Sequence, residues 1–176
     1  MKVPTSNKIG GIELEAAVFA LVAPEDFYEA VLGVHGFPAW APGLRRVGVT
    51  LGEGATGMLS EWEVSFLGFG KTVRSVLVES EGPYRLRRTY EGPVGGWGGG
   101  SIEDVGGDAL ASFRTALSPK DPLLAALSRG ASARSVVRAY LKRALSRLGR
   151  LVAGDDARVL VGSVPMKETL QEFRQA

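Results

Sequence analysis

Residues 131–152, ASARSVVRAYLKRALSRLGRLV, carry the one long run of helical periodicity in the chain. Val137, Leu141, Ala144, Leu148 and Leu151 recur at steps of four and three, with Leu145 beside them. At about 100° per residue they form an apolar stripe roughly 120° wide. Arg134, Arg138, Lys142, Arg143, Arg147 and Arg150 share the stretch, and no acid does. A helix of this kind has to bury its stripe, and nearly everything before it reads as short strands and turns. The expected architecture is a sheet curled around the helix, with the basic residues outward. Arg134 falls within the angular range of the stripe, which puts it at a rim or where the stripe leaves the core.

At 176 residues one domain is the simplest reading, and 45% apolar content suffices for a core. There is no cysteine, which excludes thiol nucleophiles and thiolate metal sites. His35 is the only histidine, which argues against a His-based metal cluster or a Ser-His-Asp triad. No cofactor or metal is expected. The start, MKVPTSNKIGG, is polar, and no run reaches the ~18 apolar residues of a membrane span. The expectation is a cytoplasmic chain with no integral membrane segment. The basic helix face is a possible attractant for anionic lipid or nucleic acid. Its stripe is needed inside the fold, and aromatics do not alternate with its charges. A solvated face is the preferred reading, with no nucleic-acid partner.

Residues 1–10 read as a loose arm. Residues 12–22 begin with alternation and become apolar on both sides, as in a strand that starts exposed and ends covered. Ala23-Pro24-Glu25-Asp26 opens a helix, with proline preset for the first position and acids at the positive helix end. Gly33 ends it, and residues 34–43 give a second brief helix or turn. Strands are expected over 44–50, 56–67, 71–79 and 84–90. Residues 92–100, GPVGGWGGG, read as a glycine loop around Trp97, a flexible connection or a mobile lip. They lack a phosphate-loop pattern. Residues 101–105 and 109–117 form a hairpin about Gly106-Gly107-Asp108. Asp121-Pro122 opens a short helix before the long one. Sequential strands without intervening helices imply antiparallel meanders and an α+β fold.

Pro24-Glu25-Asp26-Phe27, followed by Gly36-Phe37-Pro38-Ala39-Trp40-Ala41-Pro42-Gly43 and Leu44-Arg45-Arg46-Val47, resembles the START-like (SRPBCC) superfamily. That superfamily includes pollen-allergen-type proteins, lipid-transfer domains and the polyketide cyclase/dehydrase group. Gly57, Glu79, the Asp104–Asp108 turn and the broken helix over 121–152 fit more loosely. The resemblance spans roughly residues 11–152. It implies a helix-grip fold, a bent seven-stranded antiparallel sheet holding a C-terminal helix over a cavity, with two short helices after the first strand. It also implies lipids, sterols, polyketides or quinones as usual ligands, without implying catalysis. The division expected is an arm over 1–10, a helix-grip domain over 11–153, and a tail over 154–176. The tail has a strand-like run at 158–164 and a helical one at 167–174. It pairs with a sheet edge, mediates oligomerisation such as a homodimer, or is disordered.

Trp62, Val64 and Phe66 share one strand face, and Tyr84, Leu86, Arg88 and Tyr90 another. With Trp40, Phe113, Val137, Leu141 and Leu148 they are the candidate lining of a ligand cavity, against the plainer reading of packed core. An inward Arg88 or Arg74 needs a partner, such as Glu61, Glu63, Asp104 or a ligand anion. The favoured expectation for both is solvent or an ion pair. The candidates for acid–base chemistry are His35, Arg88 and Asp104, with no motif that orders them. Three functions therefore stand. They are a binder of a hydrophobic small molecule, a polyketide cyclase/dehydratase-like enzyme, and an interaction module acting through the basic face or tail.

Overall fold

Alternation in the first strand decides how the sheet faces the core. In β1 (Ile12–Ala20), Ile12, Leu14, Ala16, Val18 and Ala20 are all buried. The computed structural model describes residues 11–162 apart from Glu53, Leu67 and Gly130. The arm over 1–10 and the helical run at 167–174 lie outside the described residues.

Helix α1 (Pro24–Leu32) starts on Pro24, carries Glu25 and Asp26 in its first turn, and buries Phe27, Tyr28 and Val31. Gly33 closes it, its N–H donating to the Glu29 carbonyl at 2.9 Å. A 3-10 turn (Val34–Gly36) and the one-turn helix α2 (Phe37–Trp40) follow. The chain then runs through β2 (Leu44–Leu51), β3 (Leu59–Phe66), β4 (Phe69–Glu81), β5 (Arg85–Glu91), β6 (Val94–Val105) and β7 (Asp108–Pro119). Helices α3 (Pro122–Ser128) and α4 (Ala131–Ala153) come next, then a 3-10 turn and β8 (Arg158–Gly162). The sheet is antiparallel, in the order β2-β3-β4-β5-β6-β7-β1-β8. Register shifts between β2 and β3, and between β4 and β5, are the irregularities that bend such a sheet.

The helix-grip expectation holds: β2 to β7 run as a meander, β1 pairs with β7, and α4 packs against β1, α1 and α2. An eighth strand is added by the tail. Residues 158–162 pair with residues 15–19 of β1, so this part of the tail takes the sheet-edge alternative. The turn before β8 lies close to α4. A Cβ on Gly149 would stand 2.5 Å from the Ala157 methyl and 3.7 Å from Val18.

Residues 92–100 correct the sequence reading. Only Gly92 and Pro93 connect the strands; β6 begins at Val94 and pairs with β5 on one side and β7 on the other. At Gly99 and Gly100 the neighbouring backbone leaves no room for a side chain. A Cβ on Gly99 would meet the Leu86 carbonyl at 2.7 Å, and one on Gly100 the Ser112 carbonyl at the same distance. Trp97, expected in a lip, stacks under the Arg87 guanidinium at 4.6 Å.

The stripe of α4 is narrower at its C-terminal end than its spacing predicts. Ala144, Leu145 and Leu148 are buried, while Leu151 is 59% exposed. Each fully buried aliphatic side chain contributes about 1.5–3 kcal/mol relative to exposure. Leu148 therefore anchors the helix and Leu151 does not. Arg134 is exposed, as are the other five basic residues.

Candidate functional site

Between the concave face of the sheet and α4 lies a cavity of about 500 Å³. That is within the range of small-molecule sites, about 300–1,000 Å³. A smaller pocket of about 160 Å³ lies apart from it, beside Glu29, Val34 and Met58. The larger cavity takes Trp62 and Val64 from β3, Leu86, Arg88 and Tyr90 from β5, and Phe113 from β7. Trp40 closes one side from α2, and Val137, Leu141 and Leu148 form the wall from α4. These ten candidates are thus brought together. Tyr84 is not among them, because β5 starts at Arg85 and leaves Tyr84 in the turn, 55% exposed. The side chain of Phe66 lies outside the described residues.

Several lining residues were not singled out from the sequence. Phe37 is the hub of an aromatic cluster, its ring centroid 4.7 Å from Trp40 and 5.4 Å from Trp62. Trp62 also meets Tyr90 at 5.5 Å. Val136 and Tyr140 line the cavity and are exposed, so it reaches solvent beside the N-terminal half of α4. The signal was present. Val136, Tyr140 and Ala144 form a second row at steps of four, adjacent to Val137 and Leu141. Gly98 and Gly99 form a stretch of wall with no side chains.

Arg88 overturns its own expectation. It is 2% exposed and, among the described residues, has no ion-pair partner. Its Nη2 donates to the Leu32 carbonyl at 3.2 Å, near the C-terminal end of α1, where backbone dipoles favour a cation. Its Cζ lies 5.6 Å from the Phe37 ring centroid. Nε and Nη1 are buried with no hydrogen-bond partner among the described residues. Burial pushes the guanidinium down from its ordinary pKa, opposed by Tyr90 and Tyr28. Arginine remains a cation despite such a shift. Tyr90 is half-buried by area but enclosed by apolar walls. Desolvation raises its phenol pKa and Arg88 partly offsets this. It is therefore a protonated group at neutral pH, a donor and no base.

Arg74, by contrast, is exposed and pairs with Glu61 at 3.2 Å, as expected. His35 sits exposed in the 3-10 turn, and Asp104 is exposed in the β6–β7 hairpin, accepting from the Gly107 N–H at 2.7 Å. Neither lines the cavity, so the structure does not bring the three acid–base candidates together. Among the described residues no cluster of His, Cys, Asp or Glu could hold a metal. No described helix is long and apolar enough to cross a membrane.

A bent antiparallel sheet gripping one long helix over an apolar cavity defines a helix-grip protein of the START-like superfamily. The chain belongs to the polyketide cyclase/dehydrase and lipid transport family, whose model matches residues 12–153. The fold is similar to that of a START superfamily protein from Mycobacterium smegmatis, at 12% identity and a TM-score of 0.67, covering 80% of this chain and 96% of that one. It is also similar to the Zhui aromatase/cyclase from a Streptomyces species, at 13% identity and a TM-score of 0.62, covering 83% and 98%. A third likeness is to Ara h 8.0201, at 13% identity and a TM-score of 0.61, covering 81% and 98%. At these identities the likeness shows the fold alone. No curated protein matches the chain.

Proposed function

We propose that the protein binds a hydrophobic small molecule, as a carrier or sensor, in the cavity between the sheet and α4. The observation that carries this reading is the cavity itself, about 500 Å³ with aromatic and aliphatic walls. Burying apolar ligand surface there yields about 25 cal/mol per Å² before ordering costs. In this reading residues 11–153 are the binding unit, and the tail completes the sheet at β1.

The family description also names cyclases and dehydrases. A reaction of that kind requires a proton acceptor and an oxyanion-stabilising donor at one point of the cavity. Arg88 and Tyr90 supply donors. Among the described residues no carboxylate or imidazole lines the cavity, which favours binding over proton abstraction.

The test is native mass spectrometry of the protein as purified, followed by titration with the neutral dye Nile red. A co-purified apolar molecule, or dye binding that Leu141→Trp abolishes, is the expected result. A protein that carries nothing and binds no dye would sink the proposal.

A further inference from the structure

Resting on the cavity-binding reading above, we infer that Arg88 is a charge-recognising subsite and that the ligand is an apolar molecule bearing one carboxylate.

The buried guanidinium is under-partnered from every side. Its neighbours across the strands are Leu77 in β4 and Gly98 in β6, and neither offers an acceptor side chain. One nitrogen reaches the Leu32 carbonyl, while Nε and Nη1 have no partner among the described residues. A buried cation held by a single backbone carbonyl works against the stability of the fold. An apolar side chain of similar size in that position would not. The arrangement makes sense if an anion completes it.

Charge within the cavity gives the ligand its sign and its count. Lys71 and Arg114 also line the wall, but Lys71 is paired with Asp121 at 2.8 Å and Arg114 with Glu13 at 2.6 Å. Among the described residues no aspartate or glutamate lines the cavity. The cavity therefore offers one under-partnered buried cation, which suits a monoanion better than a phosphate dianion. A carboxylate has lone pairs enough on its two oxygens to take several N–H donors. The indole Nε1 of Trp40 is a further buried donor without a partner among the described residues. Its ring packs on the same Phe37 side chain that Arg88 faces, which puts both donor-bearing side chains beside one aromatic ring. The rest of the wall is apolar. This polarity orients the ligand, with its carboxylate at the Phe37 cluster and its hydrocarbon part along Val137 and Leu141.

The experiment compares 2-naphthoate with the neutral, nearly isosteric 2-naphthamide by calorimetric titration, using the full chain and its Arg88→Met and Arg88→Lys variants. The wild type should bind the carboxylate at least about tenfold more tightly than the amide, the size expected of a charge-assisted hydrogen bond. Arg88→Met should erase that ratio, and Arg88→Lys should restore part of it. Ligand-free Arg88→Met should melt no lower than wild type, whereas a purely structural arginine would make it melt lower. Equal binding of both probes by the wild type overturns the carboxylate assignment alone, whatever the variants do. Failure of both probes to bind while Nile red still binds overturns the carboxylate assignment alone; failure of all three overturns the cavity-binding reading together with it.

Discussion

The phenol of Tyr90 lies against Gly98, its oxygen 2.7 Å from where a Cβ on that glycine would stand. The contact is with the far end of a side chain, and the open cavity gives that end somewhere to go. Gly98→Ala should therefore cost little stability, within about 1 kcal/mol, and swing Tyr90 into the cavity. Denaturant titration paired with Nile red binding checks it: dye affinity falls while the midpoint hardly moves.

Two positions along β6 the obstacle is different. A Cβ on Gly100 meets the Ser112 carbonyl at 2.7 Å and the Phe113 ring at 2.8 Å. Backbone paired in the middle of a sheet cannot retreat as a phenol can. Gly100→Ala should lose about 1–3 kcal/mol in the same titration, a larger loss than Gly98→Ala.

The two ends of the α4 stripe should respond unequally to truncation. Leu148 is fully buried, and Leu148→Ala should cost about 2–5 kcal/mol. Leu151→Ala, at an exposed position, should stay within about 0.5 kcal/mol. Equal losses would mean that the helix sits rotated from the orientation described.

Asp121 links α3 to the sheet. Its carboxylate accepts from Lys71 Nζ at 2.8 Å and from the N–H groups of Leu123 and Leu124 at 3.0 and 3.2 Å. The Lys71 bond, first, and then the Leu124 N–H hold its pKa below the ordinary carboxylate value. A depressed folded-state pKa stabilises above the unfolded value of about 3.9, and the gain disappears as pH falls through the folded value. Thermal melts of the wild type should decline more steeply below about pH 4 than those of Asp121→Asn. Asparagine keeps the cap but carries no charge to lose.

The tail strand can be tested through the helix it leans on. Gly149→Leu places a side chain where Ala157 stands. It should displace the turn into β8, with a stability loss of about 1–3 kcal/mol. Limited proteolysis should then cut after residue 157 faster than in the wild type.

Local signals carried most of the fold. Pro24 and Asp121 mark helix starts whatever lies around them, and alternation in β1 and β3 shows which side faces inward. What failed was the reading of residues whose role depends on distant neighbours. Glycine in a run reads as a turn because its backbone is free, yet in β6 it answers to the Leu86 and Ser112 carbonyls, which no local window contains. Arg88 reads as solvated because its acceptor is a backbone carbonyl 56 residues away. Within the cavity, the strand faces named Trp62, Val64, Leu86 and Tyr90. Phe37 and Tyr140 were missed, the one inside a proline-flanked turn and the other at the margin of a helical stripe.

The position of β8 also orders events during synthesis. β1 is made first but pairs only with β7 and β8, and the register places Glu15 opposite Gly162. Contacts between such remote residues form slowly, because a long loop has to close first. Until residue 162 has left the ribosome, the backbone of residues 15–19 presents an unpaired edge next to apolar side chains. Such an edge templates association between nascent chains. The last strand described therefore removes a hazard that the first one creates.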